Sequence, residues 1–421
     1  MHVTLRGVRL YGGAAADVGV RDGLLAPPGG RDVDCAGLVA LPAFVDLHTH
    51  LRDPGDPDAE TIATGTAAAA AGGYSDVFAM ANCFPVTDTP QRVRDITRVA
   101  AETASCRVHP VGAVTVGLAG ARLAPLRELA AAGARMFSDD GHCVDDAALL
   151  RDALRLATDV GAFVAQHAQH GGLAGLGQIN EGRAAAVTGL TPWPVVGEEA
   201  IVARDVVLAG RLNARLHLCH ISTAGSVEIV RWAKSRGWPV TAEVTPHHLM
   251  LDDELAALGA PRYKVNPPLR SAEDVKTLRA ALAEGTLDVV ATDHAPHSRA
   301  RKSGHWRDAA FGMIGLETAL PVVAEVLGGR GEPDWRLIAE SMAHRPAKIA
   351  GIDAVAARPL RPGEPATLTL VDPAADWTVV PGEGASRSSN TPFAGLRLRH
   401  RVVATLLAGQ VTHDALGLFR K

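Results

Sequence analysis

Two histidines one residue apart, His48 and His50, end an apolar stretch with the sequence LVALPAFVDLHTHLRDPG. Because side chains alternate along a β-strand, an extended chain directs both imidazoles to the same face. Two imidazoles on one face supply half of a divalent metal site, and packing gives no reason for them to be there. Asp293 ends another apolar stretch, LDVVATD, and offers an oxygen ligand. The pattern favours a fold that brings the ends of distant strands together.

The composition is that of a large globular enzyme. The chain has 421 residues, of which 47% are hydrophobic and 21% are charged, values typical of soluble globular proteins. This length suits one large barrel with a smaller additional domain. The formal net charge of −4 gives no electrostatic reason to expect nucleic acid or an anionic membrane as a partner.

Cysteine usage and hydropathy bear on the cellular compartment. The five cysteines form no CxxC pair, which indicates buried, reduced thiols. No positively charged segment followed by an apolar core opens the chain, and no apolar run reaches the length that spans a bilayer. We therefore expect a cytoplasmic protein without a membrane segment.

The middle of the chain alternates apolar strands with Ala/Leu-rich helical stretches, which predicts a (β/α)₈ barrel of the α/β class over residues 44–350. The predicted strands have the sequences FVDLHTH, YSDVFAMAN, RVHPVGAV, ARMFSDD, AFVAQHA, RLHLCHI, PVTAEVT and DVVATDH. Residues 1–43 and 351–421 instead contain short β-type pieces between Gly and Pro turns. We expect the two termini to meet and form one small β-sandwich.

Polar side chains follow the predicted strands at their carboxyl ends, where barrel enzymes carry their chemistry. These residues are His48, His50, Asn82, Asp140, His167, His220 and Asp293. Four imidazoles with carboxylates favour zinc or a similar metal, because Mg²⁺ and Ca²⁺ prefer oxygen ligands. Any one of these histidines alone would be weak evidence. Their number at one end of the barrel favours a metal site.

The sequence Asp139-Asp140-Gly141 after the fourth strand has two explanations. An Asp-Gly turn is common, whereas an aspartate that bridges two metals uses both of its oxygens. We favour the second explanation, with Asp140 rather than Asp139 as the ligand. Asp293 has a further role available, since a metal lowers the pKa of bound water to about 7. A neighbouring carboxylate can accept the proton that this water releases.

Other polar residues are candidates for holding a substrate. Arg52 follows the metal histidines by two residues, and its planar guanidinium suits a carboxylate bound through two hydrogen bonds. Asn82 and His297 could share this role, although a turn residue and a surface histidine are equally good explanations. The polar segment 294–312 is either a lid or a solvated loop.

A set of motifs, in order along the whole barrel, resembles the type I dihydroorotases of the amidohydrolase superfamily. The motifs are DLHTHLRDPG, ETIATGTAAAAAGGY, MFSDDG, HLCHIST, TPHHL, YKVNPPLR, ATDHAPH and FGMIGLET. Many hydantoinase-like relatives use a carboxylated lysine as the metal bridge, and the fourth strand here has no lysine. Two departures from the family pattern are Cys83, where threonine is usual, and a segment RARKSGHWR that is more basic than usual.

The resemblance implies the roles of individual residues. The metal ligands, for one or two zinc ions, correspond to His48, His50, Asp140, His167, His220 and Asp293. The first zinc would be bound by the two histidines of the first strand and by Asp293, and Asp140 would lie between the two ions. The substrate contacts correspond to Arg52, Asn82, Asn266, His297, Phe311 and Gly312, with Asp293 as the catalytic acid and base.

The implied activity is the reversible cyclisation of N-carbamoyl-L-aspartate to (S)-dihydroorotate, a step of pyrimidine (UMP) biosynthesis. Two alternatives remain open at this point. One is another cyclic amidohydrolase, such as a hydantoinase or an allantoinase. The other is an inactive relative that serves as a partner of aspartate carbamoyltransferase. A homodimer and a complex with that transferase are the protein partners that the resemblance suggests.

Overall fold

A computed structural model describes residues 1–329 and 331–420. Its strands are β1 (His2–Leu10), β2 (Ala15–Arg21), β3 (Leu24–Ala26), β4 (Arg31–Asp34), β5 (Val39–Pro42), β6 (Phe44–Thr49), β7 (Tyr74–Ala79), β8 (Arg107–Pro110), β9 (Met136–Phe137), β10 (Phe163–Gln166), β11 (Ile179–Asn180), β12 (Pro192–Trp193), β13 (Leu216–Leu218), β14 (Val240–Val244), β15 (Val289–Val290), β16 (Leu368–Thr378), β17 (Arg397–Leu407) and β18 (Gln410–Asp414).

The α-helices alternate with the strands of the middle region. They are α1 (Ile62–Ala71), α2 (Pro90–Thr103), α3 (Leu126–Ala131), α4 (Ala147–Asp159), α5 (Gly171–Ala174), α6 (Arg183–Thr188), α7 (Val196–Leu212), α8 (Ala224–Ser235), α9 (Pro246–Met250), α10 (Asp253–Ala256), α11 (Ala272–Glu284), α12 (Arg299–Lys302), α13 (Ala319–Gly328), α14 (Trp335–Ala339) and α15 (Arg345–Ala350). Short 3₁₀ turns cover Val116–Leu118, Pro261–Tyr263 and Leu316–Thr318, and a π turn covers Glu340–His344.

Eight parallel strands close into a barrel. Strands β6, β7 and β8 pair in that order, as do β9, β10, β13, β14 and β15. The backbone N–H of Gly112 donates to the carbonyl of Met136 at 3.0 Å and joins β8 to β9. The N–H of His50 donates to the carbonyl of His294 at 2.8 Å and joins β6 to β15. The predicted (β/α)₈ barrel is therefore confirmed, with each strand inside its predicted stretch.

The helices pack on the barrel through regular apolar faces. In α4 the buried residues are Leu150, Ala153, Leu154 and Ala157, whose spacing of three and four residues places them on one side. The Asp146 carboxylate accepts a hydrogen bond from the N–H of Leu149 at 2.8 Å and caps the helix. No helix of the described residues combines the length and the apolarity needed to cross a bilayer.

The two ends of the chain form one β domain, as predicted. Strands β18, β17, β16, β5, β1, β2 and β3 are neighbours in that order, and β4 also pairs with β1. The antiparallel pairing of β16 with β5 joins the two chain ends. This domain has an apolar core of its own, to which Leu5, Val20, Leu368 and Leu406 contribute. The limits of 43/44 and 350/351 between the β domain and the barrel stay a proposal.

The polar segment 294–312 packs on the mouth of the barrel. Lys302 is buried, and its ammonium donates to the carbonyl of Lys264 at 2.6 Å. The indole N–H of Trp306 donates to the carbonyl of Gln178 at 3.1 Å. Gln178 belongs to the excursion between β10 and α7 that contains α5, β11, α6 and β12, which the sequence did not predict. The segment is therefore not a solvated loop, and its role as a lid stays a prediction.

A buried carboxylate links two neighbouring barrel strands away from the histidines. Asp76 of β7 accepts two hydrogen bonds from the guanidinium of Arg107 on β8, each of 2.7 Å, and one from His109 at 2.9 Å. Burial alone would raise the pKa of Asp76, but the hydrogen bonds from His109 and Arg107 outweigh burial and lower this pKa to about 2. The cluster therefore stabilises the folded barrel wherever Asp76 is ionised.

We expect Asp76→Asn to lower the free energy of unfolding by about 2 kcal/mol at pH 7, because the pKa of Asp76 falls from 3.8 to about 2 on folding. Since the folded pKa is the lower one, this stabilisation is complete above pH 4 and disappears as the pH falls towards 2. Urea unfolding followed by circular dichroism measures it. Asp152→Asn, which breaks an exposed pair with Arg151, is the control and should leave stability nearly unchanged, because exposed ion pairs contribute little. Equal effects of the two substitutions would contradict this account.

Candidate metal centre

The carboxyl ends of the barrel strands bring together two groups of buried side chains that contain all six predicted ligands, each with three possible ligand atoms within 4.8 Å of one another. The first group is His48, His50 and Asp293, and the second is Asp140, His167 and His220. Cys219 forms a third such group with His48 and Asp140. The Nε2 atom of His50 lies 3.0 Å from Oδ1 of Asp293. The Nδ1 atom of His167 lies 3.3 Å from Oδ1 of Asp140. All six residues that the sequence assigned to metal binding thus face one centre.

Asp140 lies between the two groups. Its Oδ1 is 3.3 Å from Nε2 of His48 and 3.4 Å from Nε2 of His220, and its Oδ2 is 3.4 Å from Nε2 of His50. The neighbouring Asp139 points elsewhere, because its Oδ1 accepts hydrogen bonds from the backbone N–H groups of Val114 and Thr115 at 2.8 and 2.9 Å. The preference for Asp140 over Asp139 agrees with this geometry.

The backbone at this centre is in an unusual conformation. Arg52, His220 and Asp293 have positive φ angles of 55°, 32° and 46°, in or close to the left-handed region that residues with a Cβ atom rarely adopt. Each of them follows the end of a barrel strand. Strained backbone of this kind persists only where the surrounding structure enforces it, and it concentrates at functional sites.

The donor atoms fit a cation. Nε2 of His48 and Oδ1 of Asp140 are buried and have no hydrogen-bond partner among the described residues, an arrangement that costs free energy unless something binds them. Burial raises the pKa values of Asp140 and Asp293, but the neighbouring histidines, His48 foremost, outweigh burial and lower both pKa values. Two anionic carboxylates and four imidazoles are a donor set that suits zinc or a similar metal.

Glu243 fixes the orientation of His48, a role that was not predicted from the sequence. The Nδ1–H group of His48 donates to Oε1 of Glu243 at 2.6 Å, and Nε2–H of His217 donates to its Oε2 at 2.9 Å. The backbone N–H of His220 also donates to Oε1, at 3.1 Å. Burial opposes ionisation, yet His48 and His217 lower the pKa of Glu243 to about 2. With Nδ1 protonated, His48 directs the lone pair of Nε2 to the centre. The available sequence signal was a charged residue inside the apolar strand PVTAEVT.

Asn82 contacts the ligands themselves. Its Oδ1 accepts a hydrogen bond from Nδ1–H of His50 at 2.8 Å, and its Nδ2 donates to the carbonyl of Asp140 at 3.1 Å. Both ends of this amide are therefore engaged in holding a predicted metal ligand or the chain beside one. The predicted role of Asn82 in substrate binding stays a proposal.

Arg52 and His297 lie together on another side of the mouth. The Nε–H group of Arg52 donates to the carbonyl of Pro296 at 3.2 Å. Burial and the charge of Arg52 lower the pKa of His297 to about 3, so this imidazole is neutral. Its Nε2–H group donates to the carbonyl of Phe311 at 2.6 Å. The guanidinium of Arg52 is therefore positively charged beside a neutral imidazole.

Gly312 allows the chain to pass close to His297. Its φ angle is +134°, and a Cβ atom there would lie 2.8 Å from Nε2 of His297 and 2.8 Å from Cβ of Ala295. Only a glycine fits this position without a shift of its neighbours.

The two remaining predicted substrate contacts are Phe311 and Asn266. The ring centroid of Phe311 lies 5.7 Å from the ring centroid of Trp193 and 4.4 Å from the ammonium nitrogen of Lys264. Asn266 donates from Nδ2 to Oε1 of Gln169 at 2.9 Å. The structure thus places all the predicted site residues at the same end of the barrel.

Comparisons with known proteins agree with this geometry. Residues 37–226 match the family model described as dihydro-orotase-like. The chain is 53% identical to the dihydroorotase of Streptomyces coelicolor, over 97% of each protein, and 51% identical to that of Mycobacterium tuberculosis, over 98% of each. Among solved structures, the L-hydantoinase (dihydropyrimidinase) from Arthrobacter aurescens superimposes with a TM-score of 0.87 at 26% identity, covering 99% of this chain and 97% of that one.

Replacing Glu243 by methionine should weaken metal binding about 10- to 100-fold, because His48 then loses the partner that fixes its tautomer. Glu243→Gln should lose less, since its amide oxygen can still accept from His48. Competition with a chelator gives the zinc dissociation constants. Glu228→Gln, at an exposed position of α8, is the matched control. An unchanged zinc affinity in a folded Glu243→Met protein would show that Glu243 does not orient His48.

Proposed function

The chain belongs to the dihydroorotase-like family of cyclic amidohydrolases, and from this premise we propose that it catalyses the reversible hydrolysis of (S)-dihydroorotate to N-carbamoyl-L-aspartate. In the biosynthetic direction the same reaction closes the ring and leads towards UMP. The observation that carries the proposal is the convergence of six buried histidine and aspartate side chains beside the guanidinium of Arg52. A cationic residue next to a metal centre suits a cyclic amide that carries a carboxylate.

The metal ligands that we propose are the six residues of the two groups defined above, with one or two zinc ions per chain. His48, His50 and Asp293 would hold the first ion, and His167 and His220 the second, with Asp140 bridging. When bound, zinc would make water nucleophilic at neutral pH and polarise the carbonyl of the ring amide.

Asp293 moves the proton in this mechanism. Its low pKa keeps the carboxylate ionised at neutral pH, as a general base requires. Oδ1 faces His48 and His50 at 3.5 and 3.0 Å, which leaves Oδ2 to accept the proton that the attacking water gives up. As the C–N bond of the ring amide breaks, the same proton passes from Asp293 to the departing nitrogen. In the cyclisation direction each transfer is reversed.

The substrate carboxylate would bind to Arg52, with Asn82 and His297 as further contacts, and Asn266 would contact another part of the substrate. Arg52 is half-buried, and burial lowers its pKa while Asp293 opposes this effect. A guanidinium remains charged under such conditions, so its interaction with a carboxylate is stronger here than in water. The neutral imidazole of His297 would add a hydrogen bond by redirecting its Nε2–H group from the carbonyl of Phe311 to the carboxylate. The backbone at Phe311 and Gly312 would border the dihydropyrimidine ring.

We further propose that the protein acts in the cytoplasm as a homodimer and that it associates with aspartate carbamoyltransferase. The proposal of activity does not depend on these partners. The inactive scaffold that the sequence left open is a poorer explanation, because a scaffold has no need for six converging donor atoms of which two are buried and unpaired.

The decisive assay compares (S)-dihydroorotate with 5,6-dihydrouracil, which has the same ring without the carboxylate, and with hydantoin. We expect the zinc-loaded protein to open dihydroorotate and to leave the other two largely unchanged, as measured by chromatography of the products. Asp293→Ala should lose more than the 10²–10⁴-fold in kcat attributed to one acid-base group, since it removes base and ligand together, and near-normal turnover of this variant with metal present would contradict the role of Asp293. Turnover of dihydrouracil or hydantoin without turnover of dihydroorotate would indicate another cyclic amidohydrolase.

Arg52→Lys should lower kcat/KM for dihydroorotate roughly 10- to 100-fold, because an ammonium cannot replace the two parallel hydrogen bonds of the guanidinium. Any residual turnover of dihydrouracil should not change, since that ring has no carboxylate. Steady-state kinetics measure both values. Arg98→Lys, at an exposed position of α2, serves as the control. An unchanged kcat/KM for dihydroorotate would remove Arg52 from the carboxylate site.

A further inference from the structure

Three of the imidazoles that face the metal centre have a protein partner on their second ring nitrogen, and the partners differ in charge. His48 donates to the carboxylate of Glu243 at 2.6 Å, and His50 donates to the amide oxygen of Asn82 at 2.8 Å. His167 uses the opposite ring nitrogen, because its Nδ1 atom faces Asp140 at 3.3 Å while Nε2 faces outward. The outward Nε2 lies 2.8 Å from Oε1 of Gln169.

The donors around Gln169 determine the orientation of its amide. Besides His167, the Nδ2 group of Asn266 donates to Oε1 of Gln169 at 2.9 Å, and the same Nδ2 atom lies at a longer distance, 3.2 Å, from Nε2 of His167. An amide oxygen has two lone pairs and can accept both hydrogen bonds, whereas the NH₂ group in its place would face two donors. Accepting from Nε2–H fixes His167 in the tautomer whose Nδ1 lone pair is directed to the centre.

Gln169 also joins the metal centre to the substrate side. Asn266 lies 97 positions further along the chain, on the segment before α11, and the proposed function makes it a substrate contact. Its Nδ2 group is tied to Gln169, and no residue in 1–329 or 331–420 donates a hydrogen bond to its Oδ1. The carbonyl oxygen of Asn266 is therefore available to a ligand while its amino group is held.

We propose that Gln169 is a positioning residue that holds His167 in its metal-binding tautomer and Asn266 in its substrate-binding orientation through one shared oxygen atom. This inference rests on the proposed function, since it assigns His167 to the metal and Asn266 to the substrate. Loss of the shared acceptor releases both groups together. Metal affinity and substrate affinity are then coupled through a side chain that contacts neither metal nor substrate.

Two substitutions of nearly equal size separate hydrogen bonding from packing. Gln169→Glu keeps an oxygen with two lone pairs facing both donors, whereas Gln169→Met keeps the length of the side chain and removes the acceptor. Gln169 is half-buried and borders a cavity of about 310 Å³ lined by Gly141, His142 and Cys143, so neither side chain is forced into a closed core. Gln91→Met, at an exposed position of α2, controls for the introduction of methionine.

The expected result for Gln169→Met is a zinc affinity that falls 10- to 100-fold at one of the sites, as for other partners of metal-bound histidines. With zinc in excess, its KM for dihydroorotate should rise while the loss in kcat is smaller. Gln169→Glu should retain both zinc affinity and KM within about threefold. Chelator competition gives zinc affinity, steady-state kinetics give KM and kcat, and thermal unfolding verifies that each variant is folded.

A double-substitution cycle tests the coupling. If Gln169 acts through Asn266, the increases in KM caused by Gln169→Met and by Asn266→Ala will not multiply in the double variant. A folded Gln169→Met protein with wild-type zinc affinity and KM overturns the proposal, as does a Gln169→Glu protein that behaves like Gln169→Met. Failure of the proposed function has a different signature, because the wild-type protein would then bind zinc without opening dihydroorotate. In that case the zinc affinities of the variants would still test the role of Gln169.

Discussion

Closure of the barrel is the constraint on which the site depends. The hydrogen bond of 2.8 Å from His50 N–H to the carbonyl of His294 joins the first barrel strand to the last. The same bond brings the HTH sequence next to Asp293, although 243 positions separate His50 from that aspartate. Parallel strands that end at one rim place their next side chains around a common axis. A cluster of buried imidazoles and carboxylates is the chemical result.

Such a cluster is stable only if its charges and lone pairs are balanced. Glu243 and Asn82 each accept a hydrogen bond from the outer nitrogen of a histidine, and they leave the inner nitrogen free to bind a cation. Asp46 connects the ends of β6 and β15. Its carboxylate accepts hydrogen bonds from the backbone N–H groups of His48 and Thr292 at 3.0 and 3.1 Å. The unpaired atoms that remain, Nε2 of His48 and Oδ1 of Asp140, point to the position where positive charge is needed.

The sequence predicted the parts of the molecule that have a local signal. Eight apolar stretches with polar residues at their carboxyl ends were enough to identify the barrel and all six residues that converge at its rim. Glu243 was missed because its importance comes from a contact with His48, 195 positions away. Gln169 lies only two positions from His167, but its second contact, with Asn266, spans 97 positions and has no local signal. Asn82 has a turn-like sequence context, and only the folded chain shows that its amide holds His50. The small elements between β10 and α7 were missed because two-residue strands carry no periodicity.

The central claim is that the six converging side chains bind zinc, and anomalous diffraction at the zinc edge tests it most directly. Crystals of the zinc-loaded protein should show one or two anomalous peaks, one among His48, His50 and Asp293 and a second among Asp140, His167 and His220. A peak within bonding distance of these donor atoms would support the account. Anomalous density elsewhere on the protein, with none at the end of the barrel where the two groups meet, would contradict it.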